Sequence, residues 1–163
     1  MSVPIVDPFV NGHFYSRTST NLVVAGLNVG HGWETCDWSS KLTPGIVHGS
    51  GAKPIGRTRG KLELKLSIGF YLEIWASLVL PQIAALNPAR GYGENEFPIE
   101  LTFFEDTSFA TPFTMIAMGA RVMEAAATIG QNDDAVLRKI DFSVMDISEN
   151  GISIVNDAAL PAA

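Results

Sequence analysis

A chain of 163 residues fits one globular domain. Its 17% of charged residues, below the roughly 25% of an average soluble domain, points to apolar surface buried against further copies of protein. Eleven Lys and Arg against 17 Asp and Glu give a net charge of −6, which excludes a basic footprint for coating nucleic acid.

Residues 1–20 hold two prolines and no period, and read as an arm ordered only by its neighbours. Pro4, Asp7 and Pro8 interrupt the apolar run there, so a signal peptide is not expected. NLVVAGLNV at 21–29 and HGWETCDWS at 31–39 are expected to pair as the first two strands around Gly30 and Gly32. Residues 40–60 contain five glycines and two prolines without alternation, and read as a long loop of the functional kind. KLELKLSIG at 61–69 alternates strictly, with Leu62, Leu64, Leu66 and Ile68 on one face, and is the clearest strand.

FYLEIWASLVLPQIAAL at 70–86 switches to a helical pattern, stopped by Asn87, Pro88 and Gly91. Tyr71, Ile74, Trp75, Leu78 and Ile83 are its expected core face, with Glu73 and Ser77 on the open side. Glu73 and Pro81 argue against a membrane span, since a central charge costs roughly 2.5–3.5 kcal/mol on insertion scales. Three β segments follow at 97–105, 113–129 and 136–148, each bounded by a turn cluster. The order β-β-loop-β-α-β-β-β fits an α+β, mainly β fold: two packed antiparallel sheets, as a sandwich or barrel, with one flanking helix. Residues 1–163 form a single domain, with arm 1–20, loop 40–60 and tail 156–163.

No motif carries catalysis. GAKPIGRT at 51–58 misses the phosphate-binding loop because Arg57 replaces the lysine and a strand, not a helix, follows. Cys36 as a nucleophile needs a base, and His31 would point to the opposite face of a shared strand, so a small buried thiol is expected. One cysteine allows no disulfide within the chain, and three scattered histidines leave no zinc spacing. The carboxylates Asp133, Asp134, Asp141 and Asp146 assemble no dyad, and no metal or cofactor is expected. Charge is distributed unevenly: residues 1–93 hold 8 basic and 5 acidic side chains, and 94–163 hold 3 and 12. Lys53, Arg57, Arg59, Lys61 and Lys65 concentrate the positive charge, as a solvated face or as an arm that docks on an acidic surface of another copy.

RTRGKLELKLSIGFYLEIWASLV (57–79), GYGENEFPIELTFFED (91–106) and GARVMEAAATIGQNDDAVLRKIDFSVMDISENG (119–151) resemble bacteriophage tail tube proteins in the order of their features. The resemblance implies six-membered rings stacked into a hollow tube for DNA, in the virion tail after assembly in the host cytoplasm. Its partners would be sheath, tape-measure, baseplate or neck proteins. It implies an inter-subunit loop, with Leu42, Ile46, Val47, Lys53, Ile55, Arg57 and Arg59 as candidates, and an acidic lumen. Alternation along 97–105 and 139–147 offers Glu100 and Asp141 as lumen-facing carboxylates, or as ordinary surface acids. A tube terminator, the related secretion-system tube and, from another class, a small β-barrel enzyme or ligand-binding domain are the alternatives.

Overall fold

The computed structural model describes residues 20–103, 112–127, 129 and 135–155. Arm residues 1–19, tail 156–163 and the pair Asp133 and Asp134 lie outside the described residues.

Two antiparallel sheets pack through one apolar core. The first holds β1 (Thr20–Val24), β2 (Leu27–Asn28), β7 (Phe97–Phe103), the first half of β8 (Phe113–Ala127), β10 (Asp146–Glu149) and β11 (Ile152–Ser153). The second holds β3 (Trp33–Thr43), β6 (Lys61–Tyr71), β9 (Leu137–Ser143) and the second half of β8. A separate hairpin, β4 (Ile46–His48) with β5 (Pro54–Arg57), interrupts the β3–β6 connection.

Alternation places the core. Leu66 and Ile68 of β6, Ile99 and Leu101 of β7, and Ile140 and Phe142 of β9 are buried, while the residues between them turn outward. Phe97 meets Phe142 edge-on across the sheets, with ring centroids 6.0 Å apart.

The segments 21–29 and 31–39 do not pair with each other as expected. Ala25 (φ 51°) and Gly26 (φ 79°) fold the first back on itself as the β1–β2 hairpin, and β1 pairs with β7. The chain then crosses at 29–32 to the second sheet, where β3 pairs with β6. A Cβ at Gly32 would lie 2.4 Å from Ile74, so only glycine lets the crossing pass under the helix. The expected 136–148 strand is broken at Val144–Met145 into β9 and β10, which returns Ile147 to the core, 2% exposed, against the simple alternation.

The helix spans 72–86, two residues later than its pattern, because Phe70 and Tyr71 complete β6. It consists of an α-turn Leu72–Ile74, a π-turn Trp75–Val79 and an α-helix Leu80–Leu86. Pro81 cannot donate to the carbonyl four residues back and crowds it. The π-turn absorbs that clash, with Leu80 N–H donating to Trp75 O, and Ser77 Oγ donating to Glu73 O at 2.6 Å. Its wider turn keeps an i, i+4 row in line, so Trp75, Val79 and Ile83 form the buried face. Leu78, expected in the core, is instead 44% exposed, and Val79 takes its place. Tyr71 and Ile74 are half-buried at the helix start. Trp75 stands 5.6 Å from Phe70, and Asn95 Nδ2 donates to Ile83 O at 2.8 Å, closing the helix end.

Trp75→Ala is expected to lower the unfolding free energy by about 3–5 kcal/mol, the range for a buried aromatic. Leu78→Ala should cost under about 1 kcal/mol, as an exposed site does. Urea denaturation of the two variants checks both, and equal losses would contradict this helix register.

Candidate functional site

The segment 40–60 is more structured than a loop. β3 continues to Thr43, and 46–57 fold into the β4–β5 arm. Its base is a closed joint: Thr58 N–H donates to Gly45 O at 2.8 Å, and Gly45 N–H donates to Thr58 Oγ1 at 3.0 Å. Gly60, at φ +85°, completes the joint where a Cβ would sit 2.3 Å from Thr43 O. Beyond it the arm's apolar side chains are left uncovered by the described residues. Ile46, Val47 and Ile55 are 57%, 42% and 74% exposed. Lys53, Arg57 and Arg59 are exposed beside them, while Leu42 is half-buried on the core side of β3.

The second sheet is bounded by two long open edges. β3 is its last strand, with β6 on one side and, among the described residues, no strand on the other. At the opposite end β7 leaves β8 after Ala120, so the outer edge of 121–127 has no strand partner among the described residues. The first sheet ends instead on the two-residue strands β2 and β11. Long unpaired edges recruit further strands, whereas short ones do not.

Glu100 and Asp141 are not brought together. Glu100 is exposed on the outer face of the first sheet, opposite Val23 and Ile116. Asp141 lies on the outer face of the second, between Ser67 of β6 and Glu124 of β8. Two carboxylates directly opposite on one face repel each other. The same face carries Lys65 and Lys139, so it is mixed in sign rather than uniformly acidic.

A cleft of about 590 Å³ opens between the helix start and the 29–32 crossing, lined by Val29, His31, Tyr71, Ile74 and Val136. Its nearest backbone donors are already used, Tyr71 N–H by Gly32 O at 3.0 Å and Leu72 N–H by Val136 O at 2.9 Å. Stretch 51–58 forms the arm tip and β5, with no helix to face a phosphate. Among the described residues no group of three His, Cys, Asp or Glu side chains is placed to hold a metal, and no helix is long and apolar enough to cross a membrane.

No family model and no curated protein matches the chain. Solved structures do. A chain of the PVC sheath–tube complex of an extracellular contractile injection system, in its extended state, superposes with a TM-score of 0.65 at 7% identity, covering 91% of this chain and 98% of that one. The SPP1 tail tube gives 0.60 at 11% identity over 85% and 80%. Hcp1 from Flavobacterium johnsoniae gives 0.53 at 19% identity over 84% and 98%. The fold is therefore the tail tube fold, the one the sequence resembles.

Cys36 sits half-buried on the core side of β3, opposite Ile68. Burial, with the charge of Asp37 adding to it, pushes its thiol up to about 12. His31 lies outside β3, so the two share no strand. Native protein at pH 8 should react with iodoacetamide at least about 100-fold more slowly than the unfolded chain, because the thiolate is the nucleophile. The folded state holds the proton more tightly, so its contribution to stability is complete below the ordinary thiol value and lost as pH rises toward 12. Alkylation at the unfolded rate would contradict this placement.

Proposed function

We propose that this chain is a structural subunit of a phage tail tube. Copies close head to tail, six to a ring, and the rings stack into a hollow conduit in the tail. The pair of long open edges on one sheet carries this reading. A heterologous contact needs two different complementary surfaces on one subunit, and the β3 edge of one copy with the 121–127 edge of the next continues the second sheet around a ring. Closure removes both edges. The β4–β5 arm, with Ile46, Val47 and Ile55 uncovered and Lys53 and Arg57 beside them, serves the contact between rings. Sheath and baseplate proteins are the natural outer partners, and no step of the assembly calls for catalysis.

With the second sheet as the wall, Asp141 and Glu124 face the lumen and Glu100 faces away from it. Adjacent carboxylates keep phosphates from anchoring, since each Lys or Arg contact displaces counterions and holds the strand. Lys65 and Lys139 on the same face favour a second reading, a secretion or injection tube that passes protein rather than DNA.

Purified protein should show rings or tubes by negative-stain microscopy. Deleting 46–57 joins Gly45 to Thr58, already hydrogen-bonded at 2.8 Å, so the variant should fold as the parent does and form no tubes. Tubes of parental length from this deletion would remove the arm from stacking. Asp141→Lys with Glu124→Lys should leave assembly intact and make tubes retain DNA, with affinity falling steeply as salt rises. Equal DNA retention by parent and variant tubes would remove these carboxylates from the lumen.

A further inference from the structure

The sandwich has two unlike flanks. On one, the 121–127 edge and the β1–β2 hairpin are bridged by the helix and the turn after it. Trp75, Val79 and Ile83 are buried there, and Gln82 Nε2 donates to Ala25 O at 3.1 Å. On the other, β3 of the second sheet and β11 of the first stand apart over an open cleft of about 450 Å³. Trp38, Ser40, Ile147, Glu149, Ile152 and Ile154 line it. Its floor is satisfied, because Trp38 Nε1 donates to Glu149 Oε1 at 2.7 Å and the ring stacks on Phe113 at 6.4 Å. Its rim is not, since Ile152 and Ile154 are 76% and 46% exposed.

We propose that the helix 72–86 of one copy seats its exposed face, with Leu78 and Leu86, in the β3–β11 seam of the next copy. The inference rests on the tube reading and names the contact that lies behind the joined sheet edges. Joining the 121–127 edge of one copy to the β3 edge of its neighbour brings the helix-covered flank onto the open one. Leu78 and Leu86 are 44% and 47% exposed, an apolar surface to match Ile152 and Ile154. Charge agrees. Residues 72–91 carry only Glu73 and Arg90, and Arg90, at the Leu86 end, has no ion-pair partner among the described residues. The seam offers it the Glu149 carboxylate. A seam set against a second seam would instead oppose two Glu149 carboxylates, which disfavours like-on-like pairing.

Directed cross-linking tests this in the full chain. With Cys36→Ser as background, Leu78→Cys and Ile152→Cys are placed in one chain and oxidised under assembly conditions. Both positions are exposed, and circular dichroism checks the fold; Leu86→Cys with Ile154→Cys is the second pair. The expected result is a ladder of covalent oligomers on a non-reducing gel, with either single substitution giving no more dimer than the Cys36→Ser background. A ladder without tubes supports the seam contact and overturns the tube reading. Tubes without a ladder from either pair overturn the seam contact alone, and absence of both overturns both. Dimers from Ile152→Cys alone would show a like-on-like contact and overturn the proposal. Cross-linking of the Ile152 site only to a cysteine at Ile55 would assign the seam to the arm and overturn it equally.

Discussion

Strand β8 belongs to both sheets, and the rest of the structure depends on the bend that lets it do so. At Gly119 the backbone takes φ +63°, and a Cβ there would lie 2.7 Å from the Met145 side chain. The neighbouring strand kinks at the same level, where Met145 N–H donates to Met118 O at 3.0 Å between β9 and β10. Two adjacent strands thus change direction together, carrying their hydrogen bonds from one layer into the other. Glycine is the residue that accepts this conformation without strain. The bend sets the two layers face to face and buries Met115, Ala117, Ala120 and Val122 of β8 along a single strand.

From that bend follows the asymmetry of the molecule. β7 leaves β8 at the bend while β9 continues along the other side, so the second sheet ends on an unpaired edge there and on β3 at its far side. The helix closes one flank because Pro81 forces a π-turn, and the turn aligns Trp75, Val79 and Ile83 over the gap. No described element closes the other flank. In the proposed tube, one plugged and one open flank would suit association in a single sense, head to tail. The low content of charged residues is what such a molecule requires, since arm, helix face and seam all keep apolar side chains uncovered as a monomer.

Charge follows the same division. The opposition of Asp141 and Glu124 across β9 and β8 works against sheet stability, and neither carboxylate has an ion-pair partner among the described residues. Arg121, by contrast, pairs with Glu96 beside the turn that leads into β7. Among the described residues the acids of 94–163 are therefore divided between the outer faces, Glu100 on one and Asp141 and Glu124 on the other.

The alternation of 61–69 determined β6 and its buried face, the apolar run after it determined a helix, and the glycines and prolines of 40–60 marked a break in alternation without showing that 46–57 pair as a hairpin. Those are local properties, fixed by side-chain period and by glycine and proline placement. The order of features also carried the tail tube resemblance. Tertiary structure alone decided that β1 and β3 join different sheets, that Leu78 faces solvent and Val79 the core, and that Glu100 and Asp141 lie on separate faces. Period tells which residues of a strand share a face, but which strand lies beside it, and in which layer, depends on partners distant in sequence. A one-residue change of winding at Pro81 and a paired kink at Gly119 and Met145 then redirected side chains that a regular helix or strand would have placed elsewhere.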